Sequence, residues 1–370
     1  MGIKNVEIAK ILGISKTAVS LAINNKPGVS EETRKRVLEL IHEDAQKTVD
    51  QARQPVHKES YGSDKILLLS VHKTNGDIIN DKPFFSTILE EAQQEAMRNQ
   101  CTLVITHFLP GQNIEEYMRY LETQNFDGLI IEATEITRPE LEYYKKLCRT
   151  KGVPMILMDG SFDLEEIDAV ELDNEKAVFR AVDYAVSMGH RDIGYLASRT
   201  EIMNFVHSHD GFWKGIHTFH LEHADHPVIK LPASIDGAYA EMKQFLENMP
   251  EDFKMPTLFI ADLDFIALGA MKAMQEKGYK IPENVSFIGY DDVISAELAV
   301  PPLTTTRVNR MDIGRITVKH LLQKMEHPGD YYTTTQVSST LVIRESVKKL
   351  NQMEKQNHER DENNCMLRRF

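Results

Sequence analysis

Four histidines fall at every third position, His217, His220, His223 and His226, and imidazoles in such a run could ligate a transition metal. On a helix, a three-residue step drifts around the cylinder, so four side chains of one element cannot converge on one ion. No cysteine or HExxH pattern flanks them. Neither a metal nor another cofactor is implied. The motifs of catalysis are missing too: there is no nucleophile elbow, no P-loop and no Gly-x-Gly-x-x-Gly turn, and an enzyme is not expected. The side chains that stand out are acceptors and small donors. Asp159, Asp264 and Asp291 each lie just beyond a short apolar run, and Ser15 stands at the start of a helical pattern.

The elements that must carry these groups are of two kinds. From Lys65 onward, short apolar runs alternate with amphipathic helices such as that near Ser86–Asn99. Ile66–Val71, Thr102–Thr106, Gly128–Glu132, Met155–Met158, Ala169–Leu172, Ile193–Leu196, Leu258–Ile260 and Val285–Gly289 read as strands. This spacing calls for parallel sheets flanked by helices, an α/β architecture. Ligands of such sheets bind beyond the carboxyl ends of the strands, where the three aspartates fall.

The first forty residues are all-α. Ile8, Ile11 and Leu12 recur at helical spacing, and Gly13 follows where a tight turn needs a residue without a Cβ. Ser15 can cap a second helix, whose buried stripe is Val19 and Ile23. Two short helices meeting through a glycine turn form a helix-turn-helix, and the second enters the major groove of DNA. Pro27-Gly28 marks the next turn. Ser30-Glu-Glu-Thr33 resembles a capping box, and Val37, Leu38 and Ile41 give a third helix its apolar face.

At 370 residues, two or three domains are expected. The sequence divides into a DNA-binding headpiece at 1–45, a polar linker at 46–63 containing Pro55 and Gly62, an α/β body at 64–346, and a polar tail at 347–370. The net charge of -13 argues against a protein that coats nucleic acid indiscriminately. Its distribution is uneven, because residues 1–55 carry nine Lys or Arg against seven Asp or Glu. Attraction to phosphates is therefore local and salt-dependent. Three scattered cysteines, Cys101, Cys148 and Cys365, suit reduced thiols in the cytoplasm. Neither a signal sequence nor a membrane-length apolar run is present, so no membrane partner is expected.

Several landmarks recur in order: Gly13-Ile14-Ser15, Val19-Ser20, Asn24-Asn25 and Val29-Ser30-Glu-Glu-Thr33-Arg34, then Pro83-Phe84-Phe85, Leu172-Asp173-Asn174 and Met188-Gly189-His190-Arg191. Ile288-Gly289-Tyr-Asp291-Asp292, Pro301-Pro-Leu-Thr-Thr305 and Ile343-Arg344-Glu345-Ser346 complete them. Over about residues 3–346 the chain resembles a LacI/GalR-type bacterial transcription regulator. The resemblance implies a helix-turn-helix headpiece and a two-lobed sensor of the periplasmic-binding-protein type, a homodimer with a small-molecule effector between the lobes.

By position, Lys16 and Thr17 match the family's base-reading residues, and Ser15, Ser20, Asn24, Ser30 and Thr33 match its phosphate anchors. Such side chains suit those roles, although Ser15 and Ser30 are also plain helix caps. Leu21 stands where many relatives carry an arginine that grips guanine, so the operator should differ at that step. In the linker, Ala52-Arg53 match the family's hinge, but Pro55 takes the place of its wedging leucine. A weak or absent hinge helix is expected. Phe84 and Phe85 match aromatic residues that stack on sugars, or else form a core pair. Asp159 and Asp291 match acceptors of ligand hydroxyls, with helix capping as the plainer role. Gly160, Ser208, Leu263 and Val308 replace polar family residues, and Arg310 is an addition that could pair an acidic group. These changes point to a carbohydrate effector that is a larger or less polar glycoside.

The function implied is a sequence-specific DNA-binding regulator, a repressor by the usual mode of relatives, controlled by that effector. The alternative is a regulator whose sensor answers to a protein partner, the sugar cage being vestigial.

Overall fold

Where the headpiece turns, Gly13 takes φ +66°, a conformation that a side chain disfavours. Ile8, Ala9 and Leu12 are helical before it, and the Ile14 N–H closes the turn on the Ala9 carbonyl at 3.0 Å. Ser15 Oγ then accepts from the Ala18 N–H at 3.1 Å and starts helix α1, Lys16–Ile23. Ser30 Oγ does the same for the Thr33 N–H at 3.2 Å, and residues 33–37 are helical. Ile8, Val19, Ala22 and Val37 bury together, with Leu12, Ile14 and Val29 packed around them. Ala22 takes a place in the stripe expected of Val19 and Ile23.

These coordinates are a computed structural model that describes residues 8–9, 12–23, 28–30, 33–37, 65–72, 82–162 and 165–350. The chain falls into two units, Met1–Gly62 and Ser63–Phe370. The linker positions, Ala52 and Arg53 among them, lie outside the described residues, as do Ile11, Asn24, Leu38, Ile41 and the chain beyond Leu350.

The larger unit has two lobes that exchange chain three times. Lobe 1 begins with β1 Ile66–His72, α2 Lys82–Arg98, β2 Thr102–Phe108, α3 Ile114–Thr123, β3 Gly128–Glu132, α4 Arg138–Lys151, β4 Met155–Met158 and β5 Asp168–Leu172. The chain then crosses to lobe 2 for α5 Asn174–Ser187, β6 Ile193–Ser198, α6 Met203–Thr218, β7 Val228–Leu231, α7 Ile235–Glu247, β8 Leu258–Ala261, α8 Asp264–Glu276, β9 Ser286–Asp291, α9 Ile294–Leu298 and β10 Thr304–Arg307. It returns for α10 Arg310–Glu326 and β11 Thr334–Val337, which belong to lobe 1, and ends on β12 Thr340–Val342 in lobe 2. The sheet orders are β11-β5-β4-β3-β1-β2 and β12-β10-β9-β8-β6-β7. All pairings are parallel except β12 on β10.

The strands expected from the apolar runs are present, unchanged or lengthened by a residue or two, except that β9 starts one residue later, at Ser286, and runs two further, to Asp291. Parallel strands need both faces covered, and three apolar clusters supply that cover. One lies between the first sheet and α3 and α4, one between the second sheet and α7 and α8. The third runs from α2 and α10 through the crossings to α5 and α6. Full burial of each large apolar side chain contributes roughly 1.5–3 kcal/mol.

The packed chain continues past Ser346, the expected edge of the body. Val347 is buried, the Lys348 N–H donates to Ser286 Oγ at 3.0 Å, and the Leu350 N–H donates to the Met188 carbonyl at 2.8 Å. His190 anchors this segment, with Nε2 at 2.9 Å from the Lys348 carbonyl and Nδ1 at 2.9 Å from Thr257 Oγ1. Burial pushes its imidazole down to about 4, so the ring is neutral at physiological pH.

Candidate functional site

In the headpiece, Lys16 opens the recognition helix and is exposed, as is Ser15. Thr17, Ser20 and Leu21 lie on the same helix, whose N-terminal residues face base edges in such motifs. Of Thr17 and Ser20, only the backbone is described. Leu21 is half-buried, and its Cδ1 lies 3.1 Å from where a Cβ at Gly28 would stand. Ser30 and Thr33 share a hydroxyl hydrogen bond of 2.8 Å at the start of the third helical segment.

Between the lobes lies a small cavity open to solvent. The carboxyl ends of five strands supply most of its wall: Thr134 after β3, Asp159 after β4, Leu172 and Asn174 at the end of β5, Asp262 and Leu263 after β8, and Tyr290 and Asp291 at the end of β9. Phe85 reaches in from α2, and Asn204, Phe205 and Ser208 from the first turns of α6. Asp159, Asp291, Phe85, Ser208 and Leu263, all expected at a ligand site, thus meet around one space. The side chain of Phe84 lies outside the described residues.

Two residues singled out from the sequence serve elsewhere. Arg310 does not line the cavity; its Nη2 donates to the Asp291 carbonyl at 2.5 Å. Its place at the start of α10 holds it to the end of β9, the strand that carries Asp291 into the cavity wall. Asp264 is wholly buried within lobe 2. Its Oδ1 accepts from Thr305 Oγ1 at 2.5 Å and its Oδ2 from the Val293 N–H at 2.9 Å. Both oxygens are committed to the fold. The histidine run also dissolves into local bonds. His226 places one ring nitrogen 2.9 Å from the Ile193 carbonyl and the other 2.9 Å from that of Leu221. Among the described residues no three His, Cys, Asp or Glu side chains gather around a metal site.

The polar atoms of the cavity are unequally satisfied. Asp262 accepts from the Tyr195 hydroxyl and the Ser198 N–H, each at 2.6 Å. Asn174 Oδ1 accepts from the Tyr290 hydroxyl at 2.6 Å, but its Nδ2 is buried without a partner. Asp159 is 1% exposed; its Oδ2 accepts from Thr134 Oγ1 at 3.1 Å, whereas its Oδ1 has no partner. Asp159 has φ +60° and Asp291 φ +111°, conformations uncommon for any residue but glycine, which turn the chain sharply as each strand ends.

Burial drives the acids around the cavity upward: Asp159, Asp262 and Asp264 to about 7, and Glu132 to about 8. The folded chain therefore holds protons that the unfolded chain releases from about pH 4 upward. Stability is present in full below that pH and falls as the pH rises towards 8. Two histidines oppose this below about pH 6.5: burial pushes His72 and His190 down to about 4, so the unfolded chain binds protons there that the folded chain does not. Above that pH only the acids remain, and the melting temperature is expected to drop by several degrees between pH 6.5 and pH 8. A flat or rising profile in calorimetric scans would contradict it.

Asn174, Asn204, Phe205, Asp262, Phe265 and Tyr290 were not singled out from the sequence. The strand-end rule does reach Asn174 and Asp262, which lie within two residues of the ends of β5 and β8. No such rule marks the α6 residues, whose place depends on how that helix packs.

Comparison with known proteins separates the two units. The profile of bacterial regulatory proteins of the lacI family matches residues 6–45, and that of the periplasmic binding protein-like domain matches residues 182–347. The chain carries a lacI-family DNA-binding domain and a periplasmic-binding-protein-like domain, and relatives built this way are transcriptional repressors, not enzymes. HTH-type transcriptional repressor PurR of Haemophilus influenzae is 26% identical over 350 residues, covering 93% of this chain and 98% of that protein. Two solved structures share the lacI-family fold. The transcriptional regulator CelR in complex with cellobiose has a TM-score of 0.65 at 21% identity, covering 93% of this chain and 99% of that one. The lac repressor dimer bound to operator and the anti-inducer ONPF has a TM-score of 0.65 at 22% identity, with coverage of 94% and 100%. None of the described helices is long and apolar enough to cross a membrane.

Proposed function

We propose that this chain is a lacI-family repressor that acts as a homodimer on a double-stranded DNA operator, released or recruited by a small molecule bound between its lobes. The observation that carries the effector reading is the interlobe cavity with two buried polar atoms, Asp159 Oδ1 and Asn174 Nδ2, left without partners. Unpaired buried polar groups cost about 1–3 kcal/mol each. A ligand that supplies both bonds stabilises the closed arrangement of the lobes and shifts the population towards it. Such a cavity weighs against a vestigial site serving a protein partner. Its aromatic and aliphatic wall suits a glycoside with an apolar face better than a bare pentose.

Footprinting of the chain's own upstream DNA, with and without candidate sugars, tests the regulator directly. The Lys16→Ala variant is expected to lose about 1–3 kcal/mol of specific affinity while its non-specific binding changes little. Equal loss on all sequences would assign Lys16 to phosphate. No loss would remove it from the interface. Tight calorimetric binding of free ribose or galactose would overturn the glycoside reading.

A further inference from the structure

The cavity is acidic as well as aromatic. Among the described residues no lysine, arginine or histidine lines it, whereas three aspartates do. Asp262 is engaged, both of its oxygens accepting short hydrogen bonds, while Asp291 accepts from Arg310 through its backbone carbonyl. Asp159 presents an oxygen with no partner. Behind it, at the end of β3, Glu132 is fully buried with Oε2 likewise unpartnered. Burial first, and then the Asp159 charge, raise the cost of ionising Glu132, while burial and Glu171 do the same for Asp159. Phosphate or carboxylate on a ligand would find no cationic side chain among the residues that line the cavity.

A cation entering this space would relieve that cost. It is not a metal ion, since no set of three ligating side chains converges among the described residues. Phe85, Phe205, Phe265 and Tyr290 line it, and aromatic rings attract organic cations and pack against the C–H face of a ring. On the same wall, after the neighbouring strand β5, the spare Asn174 Nδ2 requires an acceptor oxygen. We propose that the effector is a protonated amine carried on a hydroxylated ring, of the amino-sugar class, with its ammonium on Asp159 Oδ1 and a ring oxygen on Asn174 Nδ2. This rests on the reading of the cavity as the effector site.

Proton linkage follows from the same geometry. Asp159 faces Glu132 from β3, Glu171 from β5 and Tyr290 from β9, with Asp262 and Asp291 across the space. With no cation among them, burial leaves its carboxyl near 7 in the free protein. A docking ammonium pulls that value down, so binding near neutral pH releases a proton to the buffer.

The test is calorimetry of the full chain at pH 7 with glucosamine and galactosamine. They are set beside glucose, galactose, their N-acetylamino forms and the hexose 6-phosphates, in two buffers of different ionisation enthalpy. The proposal expects one amino sugar to bind roughly 30-fold or more tightly than its neutral counterparts, with proton release. It also expects that preference to vanish in Asp159→Asn. Equal or tighter binding of a neutral or phosphorylated sugar, or a preference retained in Asp159→Asn, overturns the ammonium and leaves the effector reading standing. If that variant does not fold, the counterpart ratio and the proton release in the unaltered chain decide the matter alone. Binding of none of the sugars overturns the proposal; the effector reading falls too if operator affinity is also unchanged by every small molecule in the footprinting test.

Discussion

A Gly314→Val variant is expected to lose about 3 kcal/mol of sensor stability, among the largest effects of any single substitution in this chain. Gly314 lies on α10 where that helix crosses α2. A Cβ there would sit against the Ile88 carbonyl oxygen, far inside van der Waals contact, with the Ala92 nitrogen 2.9 Å away. Both atoms are backbone of a packed helix, so neither can swing aside as a side-chain tip would. The helices must part instead, opening the apolar cluster that includes Ile88, Ala92, Ile313 and Val318. Urea titration of the full chain should show an earlier midpoint for the transition of the larger unit. An unchanged midpoint would mean that the two helices do not approach as described. The same close approach recurs in lobe 2, where Gly211 on α6 meets the Glu175 carbonyl of α5 and Gly269 on α8 would place a Cβ 2.5 Å from the Ile235 carbonyl of α7.

Asp264→Leu is expected to cost about as much, roughly 3 kcal/mol, by a different route. Leucine removes the acceptor for the Thr305 hydroxyl and the Val293 N–H together, and each donor left unpaired costs about 1–3 kcal/mol. Since Asp264 does not line the cavity, any small molecule that binds the unaltered chain should bind the folded variant with like affinity. A selective loss of ligand affinity, with the denaturation midpoint unmoved, would return Asp264 to the binding site.

The contrast between Asp264 and Asp159 shows where sequence reading reaches its limit. Both follow an apolar run, and strand periodicity selects both alike. What separates them is the direction of the next turn. Asp159 bends into the left-handed region and faces the cleft, while Asp264 starts a helix that draws its side chain back onto Thr305. One residue type at one kind of strand end supports either outcome.

The strands themselves were legible where aliphatic side chains dominate, as in Leu67 to Leu69 or Ile130 and Ile131. Those passed over, β7, β10, β11 and β12, are short, and three of them are rich in threonine. Thr304, Thr305 and Thr306 are fully or almost fully buried, yet they carry no apolar signature, because their hydroxyls find partners only after the fold closes. The headpiece was legible for the opposite reason. Gly13, Ser15 and Ser30 act on residues within five positions of themselves, so their effect is contained in local spacing.

Neither lobe is written as an uninterrupted stretch of sequence, and this governs how the chain can be made. When a ribosome has completed β5, lobe 1 still lacks α10 and β11, which are not translated until all of lobe 2 except β12 has emerged. The α2 surface destined for Gly314 stays open throughout that interval, an adhesive patch on a nascent chain. A premature stop near residue 310 would therefore ruin both halves, depriving one of a helix and an edge strand, and the other of β12 and the Ser346 clasp on Phe287 and Thr304.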